Sequence, residues 1–183
     1  MQTSRNQIEI VAYNPDWPAA FEAEARLLRA TLGSLALRID HNGSTSVPGL
    51  SAKPIIDIQI SVASLQPLQW FEEQLGTLGY VHQPHPDDSF CPFFYRPKEG
   101  LHSHHVHLVE AGGAEELRTL AFRDYLREHG NVAREYEDLK RDLARRIGEA
   151  EAYAGAKTDF IERIIRTALG SGYPRGFLTY SSC

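Results

Sequence analysis

Sulfur is scarce in this chain: one methionine and two cysteines, Cys91 and Cys183, among 183 residues. Two cysteines make no disulfide framework of the kind that staples small secreted domains, and this fits a reducing compartment. Long apolar runs are lacking too. Nothing approaches the roughly 18 apolar residues of a membrane span, and residues 1–12 hold no apolar core like that of a signal peptide. Positive charge in excess is also missing. The 19 Lys and Arg stand against 24 Asp and Glu, a net charge of −5, which excludes broad coating of nucleic acid because that needs a basic face. A local basic pocket for one small anion is compatible with this balance. These absences describe a soluble, cytoplasmic protein. No repeat, low-complexity segment or linker divides the chain, so residues 1–169 are expected to form one domain, long enough to bury its own core. The Gly- and Pro-containing residues 170–183 read as a flexible tail. Nothing in the sequence sets the oligomeric state.

What is present starts with periodicity. Asp16 is placed to cap a helix from Trp17 to about Leu32, with Pro18 in its first turn, Gly33 as its stop, and Phe21, Ala25, Leu28 and Leu32 on one face. Leu37 to His41 reads as a strand. Ile55 to Val62 reads as another, with Ile56, Ile58, Ile60 and Val62 facing a core and Asp57, Gln59 and Ser61 facing a polar cleft. Leu68, Phe71, Leu75 and Leu78 mark a helix that stops at Gly79. Phe90 to Arg96 and His104 to Val109 are strands joined by a hairpin turn at Pro97-Lys98-Glu99-Gly100. Three helices follow: Ala114 to about Glu128, ending at Gly130; a second carrying Val132, Tyr136, Leu139, Leu143 and Ile147; and a third carrying Tyr153, Phe160, Ile161, Ile164 and Ile165. The plan is α+β: a small mixed β-sheet backed by helices on one face, with a C-terminal helical bundle.

Three groups of residues could carry chemistry. Gly43-Ser44 forms a tight turn between apolar runs, continued by Thr45 and Ser46. Such a turn brings backbone N–H groups and hydroxyls to a phosphate, while Asp57 on the following strand offers a metal ligand. The bland reading is a plain turn beside a surface acid. The second group is His102-Ser103-His104-His105-Val106-His107. In a strand, His105 and His107 share one face and His104 takes the other, so the first two can chelate a divalent ion together with Asp57, or more distantly Glu110. The bland reading is a solvated histidine-rich hairpin. The third group is cationic. Lys53 precedes the Asp57 strand, and Arg123, Lys140 and Lys157 lie one per helix near Phe122, Tyr136 and Tyr153, a placement that can aim them at a phosphate or carboxylate. Taken singly, each also fits a solvated helix face.

Tyr13-Asn14-Pro15-Asp16-Trp17, His41-Asn42-Gly43-Ser44-Thr45-Ser46-Val47-Pro48-Gly49-Leu50 and Lys53-Pro54-Ile55-Ile56-Asp57-Ile58 together resemble the GrpB family of the nucleotidyltransferase superfamily. So do the later blocks His104 to Val109, Phe122 to Leu126, Tyr136 with Lys140, and Lys157 with Asp159-Phe160-Ile161, which extends the resemblance over roughly residues 8–168. It implies a nucleotidyltransferase-like fold, and it is shared with the extra domain of some dephospho-coenzyme A kinases. In working nucleotidyltransferases the Gly-Ser turn holds a triphosphate and two or three acids hold two metal ions. Carried over, Gly43 and Ser44 match the turn and Asp57 the first acid. Gln59 replaces the second acid, and His105 and His107 stand where a third would be.

The expectation is therefore a site with Asp57, Lys53, His105 and His107 as catalytic residues. Gly43, Ser44, Thr45, Ser46, Arg123, Tyr136, Lys140 and Lys157 contact a small anionic substrate, a nucleotide or coenzyme A-like molecule. One divalent ion sits on Asp57, His105 and His107. That ligand set suits zinc, manganese, iron or nickel more than magnesium. Three functions fit: transfer of a nucleotidyl-type group, another metal-dependent reaction on a small anion, or a non-catalytic module that binds a ligand or partner.

Overall fold

The computed structural model describes residues 9–147 and 150–170. Of the expected tail at 170–183, residues 171–183 lie outside the described residues. Helix α1 spans Trp17–Leu32 and ends at Gly33, which takes φ +57°. Asp16 does not cap it with its side chain. Instead Asn14 does the local work, its Oδ1 accepting from the Asp16 N–H at 2.9 Å. Trp17, Phe21, Leu28 and Leu32 are buried on one stripe, and Glu24 is buried among them. That acid is tolerated because the Tyr80 hydroxyl donates to it at 3.0 Å and Arg96 pairs with it at 2.7 Å.

Five strands form one sheet: β1 (Arg38–Asn42), β2 (Ile56–Val62), β3 (Val81–His82), β4 (Phe93–Arg96) and β5 (His104–Glu110), in the order β1-β2-β5-β4-β3. β2 runs parallel to β5 and antiparallel to β1, and the remaining pairs are antiparallel, so the sheet is mixed as expected. Two-residue β3 has no periodicity to read in the sequence. β4 starts three residues later than expected, because Pro86–Ser89 forms a 3₁₀ turn that leads into it. Ile56, Ile58, Ile60 and Val62 from β2 join Val106, Leu108 and Phe94 on one face, and α1 with α2 (Leu68–Gly76) covers them. Ile58 and Ile60 are wholly inaccessible to solvent. Side chains of that size contribute roughly 1.5–3 kcal/mol each on full burial.

The C-terminal part holds α3 (Ala114–Glu128), α4 (Gly130–Arg146), α5 (Ala150–Gly155) and α6 (Thr158–Leu169). A second apolar cluster of Val47, Leu50, Leu126, Tyr136, Ile161 and Ile165 holds the bundle to the loop after β1. Two details correct the sequence reading. The third expected helix is broken after Gly155, a residue of poor helix propensity, and Lys157 sits at the break as the N-terminal flank of α6. The polar face of β2 is a cleft only at its Asp57 end. Gln59 and Ser61 are fully buried because α3 lies across them, its Glu116 accepting from the Ser61 hydroxyl and its Thr119 hydroxyl bonding Gln59. Helices thus meet both faces of the sheet.

Candidate functional site

The parallel register of β2 and β5 pairs Asp57 with His105 and Gln59 with His107. Side chains at paired positions point to the same face, so this register gathers one acid and two imidazoles on the uncovered end of the sheet. Nδ1 of His105 lies 3.2 Å from Oδ1 of Asp57. One ligand atom from each of Asp57, His105 and His107 can be chosen so that all three lie within 4.8 Å of one another. His104 points to the opposite face, 3.9 Å from Glu24, as strand parity requires.

Electrostatics keep Asp57 and His107 deprotonated. Burial pushes the Asp57 carboxyl up, but the hydrogen bond with His105 and the charges of His105, His107 and Lys157 outweigh it, leaving the group below the usual carboxylate range. Burial lowers His107 to about 4, against the opposing pull of Asp57, so its imidazole is neutral at pH 7. A neutral imidazole beside an ionised carboxylate is the state that a divalent ion requires.

Gly43 closes over this group. It takes φ +64°, and a Cβ there would overlap the Asp57 carboxylate, lying 2.8 Å from Cβ and Cγ of Asp57. Gly43 and Ser44 line the cavity, whereas Thr45 and Ser46 do not. Their hydroxyls are spent inside the turn: Thr45 Oγ1 donates to the Ile55 carbonyl at 3.2 Å and contacts His41, and Ser46 Oγ donates to the Gly43 carbonyl at 2.6 Å. Both residues hold the turn in shape.

The cavity encloses about 540 Å³ and extends from Asp57 to the helical bundle, reaching Lys53, Arg123, Tyr136, Lys140, Tyr153 and Lys157. All four expected cations therefore face one space, but not equally. Arg123 is consumed by Asp124 at 2.7 Å, Asp40 at 3.2 Å and the His41 carbonyl at 3.2 Å. It ties α3 to β1. Lys140 is buried, donates to the Ser51 carbonyl and sits 5.0 Å from the Tyr136 ring centroid. Burial, then the neighbouring charge of Lys157, lowers it to about 7. Lys157 is lowered to about 8 by burial and then by Lys53.

Gln59 stands where a second acid would be. Its Oε1 accepts from Asn42 Nδ2 at 3.3 Å and from the Thr119 hydroxyl, and its buried Nε2 has no partner among the described residues. Further residues line the cavity beyond the expected set, among them His102, Phe93 and Tyr153. His102 precedes β5 and brings Nδ1 to 3.1 Å from Nε2 of His105, so strand parity could not place it. Phe93, paired with His107 across β4 and β5, sets its ring 5.0 Å from that imidazole. In the sequence Tyr153 stands out only as the neighbour of Lys157.

A family model described as GrpB protein matches residues 7–167. The chain belongs to the GrpB family. A crystal structure of the conserved protein GrpB from Enterococcus faecalis superimposes with a TM-score of 0.80 at 34% identity, covering 88% of this chain and 97% of that one. With that match the nucleotidyltransferase-like fold is established. The UPF0157 protein YqkA of Bacillus subtilis is 40% identical over 141 residues, which is 76% of this chain and 40% of that protein. A dephospho-CoA kinase of Mycolicibacterium paratuberculosis is 28% identical across 91% of this chain, which there spans 47% of the protein. Among the described residues no helix is long and apolar enough to cross a membrane.

Proposed function

We propose that this GrpB-family protein binds one divalent ion and an anionic, phosphate-bearing small molecule in a single cavity, and transfers a nucleotidyl-type group in the cytoplasm. The observation that carries the reading is the convergence of Asp57, His105 and His107 within 4.8 Å in the wall of a cavity that also presents Lys53, Lys140 and Lys157. The donor set fits an ion: the carboxylate is held ionised, His107 is held neutral, and Gly43 leaves the carboxylate room. A mixed carboxylate and imidazole set suits manganese, zinc, iron or nickel more than magnesium. Bound there, an ion would supply Lewis-acid polarisation of a phosphoryl oxygen.

The chain's own groups have separate tasks. Lys53 and Lys157 bring positive charge to the substrate's phosphates, and the Gly43-Ser44 turn borders the reacting end. His105 positions the Asp57 carboxylate through their hydrogen bond. A coenzyme A-like nucleotide is one anion of suitable charge, and the similarity to a dephospho-CoA kinase points in that direction.

A second reading is favoured by Gln59. With an amide tied to Asn42 and Thr119 at the second-acid position, a two-ion displacement on a triphosphate is short of ligands, and single-ion chemistry on another small anion, or ligand binding without turnover, becomes the competitor. Metal analysis of untagged protein, paired with a labelled-nucleotide transfer screen in Mg²⁺ and Mn²⁺, separates these readings. The transferase reading expects near-stoichiometric metal lost in Asp57→Ala and His107→Ala, together with turnover. Metal without turnover favours the second reading. No metal, with Asp57→Ala indistinguishable from the parent, defeats both enzymatic versions.

A further inference from the structure

At its helical end the cavity holds two ammonium groups that no carboxylate among the described residues pairs with at ion-pair distance. Lys53 Nζ lies 4.6 Å from the Tyr153 ring centroid and Lys157 Nζ lies 4.5 Å from the same centroid. Both ammonium groups are half-buried, and neither forms an ion pair among the described residues. Asp57, the one carboxylate that lines the cavity among the described residues, acts on both lysines only through its charge at a distance, its hydrogen bond being made with His105. Tyr153 is 2% exposed, yet it lines the cavity, and its hydroxyl has no hydrogen-bond partner among the described residues. Burial alone raises that phenol, so it stays a proton donor at any working pH. Half-buried cations without an ion-pair partner are unfavourable alone, and a phenol that reaches the cavity without a protein partner is open to a ligand. Their meeting around one ring in one cavity points to a ligand that satisfies both.

We propose that Lys53, Tyr153 and Lys157 form the seat for a multiply charged phosphoryl group, giving the cavity two poles: this seat, and the Asp57–His105–His107 group where the reaction takes place. The inference rests on the anionic-substrate reading above and deepens it by naming what the substrate must carry. The seat differs from the Gly43-Ser44 turn, whose Cα side is covered by the Asp57 carboxylate. Two point-charge ammonium groups plus a phenolic donor match the several oxygens and double charge of a phosphoryl group better than the single charge of a carboxylate. Lys140, close enough to Lys157 for their charges to interact, adds to the field at this pole. Tyr153 in α5 and Lys157, four residues on at the N-terminal flank of α6, address the same space across the break after Gly155.

Isothermal titration calorimetry of the full chain with inorganic pyrophosphate, in EDTA so that no divalent ion takes part, tests the seat apart from the metal. Binding is expected in the parent and in Asp57→Ala. Tyr153→Phe keeps the ring under both lysines and removes only the hydroxyl, so its affinity should fall about tenfold, and that of Lys157→Met at least as far. Citrate, a polycarboxylate, should bind more weakly than pyrophosphate. The proposal is overturned by no binding to the parent, by unchanged affinity in both Tyr153→Phe and Lys157→Met, or by tighter binding of citrate. Loss of pyrophosphate binding in Asp57→Ala alone would move the seat to the Gly43 turn and overturn it equally. Failure of the metal analysis with success here would leave the seat standing without the transferase reading.

Discussion

At Gly43 the backbone sits in the left-handed region and the Asp57 carboxylate occupies the space of a Cβ. Gly43→Ala therefore meets two penalties, the conformational one alone being about 1–2 kcal/mol, and should destabilise the protein by at least that much in urea unfolding while displacing Asp57. Metal uptake by that variant should fall with it. His105 acts on Asp57 in the opposite sense to burial. Removing the imidazole in His105→Ala leaves burial less opposed, so the Asp57 carboxyl should titrate higher than in the parent, as carboxyl NMR shifts would record. An unchanged Asp57 titration would remove His105 from its positioning role. Ser44, Thr45 and Ser46 look alike in the sequence, but only Ser44 lines the cavity. A hydroxyl's neighbours, which depend on the turn geometry, decide whether it is structural or free.

At the scale of elements, the β2–β5 register builds one pole of the cavity, and α5 with the N-terminal flank of α6 contributes to the other. Alternation along β2 is readable in Ile56-Asp57-Ile58-Gln59-Ile60, and so is the shared face of His105 and His107. Their adjacency is not, because parallel pairing of two strands more than forty positions apart leaves no local mark. Helix α6 is held by Ile161, Ile164 and Ile165, with Ile165 at 1% exposure. Ile165→Ala should cost about 2–5 kcal/mol by thermal or chemical unfolding. Because α6 carries Lys157 at its start, the same variant should weaken anion binding without altering metal content. The fused helix expected over Tyr153 to Ile165 shows why periodicity alone misleads here: the apolar stripe continues through the break, while Gly155 ends the backbone ladder.

At the scale of the whole molecule, buried titratable groups give stability an unusual pH profile. Burial holds His41 and His107 at about 4, so the unfolded chain binds more protons than the folded one from pH 4 to 6.5, and stability rises through that window. Glu115, raised to about 7 chiefly by burial, opposes part of this rise between its ordinary value and 7. Lys140 at about 7 and Lys157 at about 8 are lowered from 10.5. Unfolding lets both take up protons above those values, so stability should go on rising from pH 7 to about 10, where the raised phenols of Tyr80 and Tyr153 begin to oppose it. Melting temperatures across this range check the prediction, and Lys140→Met should flatten the upper arm. A parent profile flat above pH 7 would contradict the burial of both lysines.

The sequence by itself determined the α+β class, the core stripes of α1 and β2, the family, and the identity of Asp57, His105, His107 and the cavity lysines as the residues to watch. These are local matters: side-chain period, turn chemistry and a motif long enough to be specific. Tertiary structure alone decided that Arg123 is spent on Asp40 and Asp124, that Thr45 and Ser46 serve the turn, that α3 seals Gln59 and Ser61, and that Tyr153 joins Lys53 to Lys157. Each of those depends on which distant partner reaches a group first, and the competition for hydrogen bonds and charge is settled only once the chain has packed.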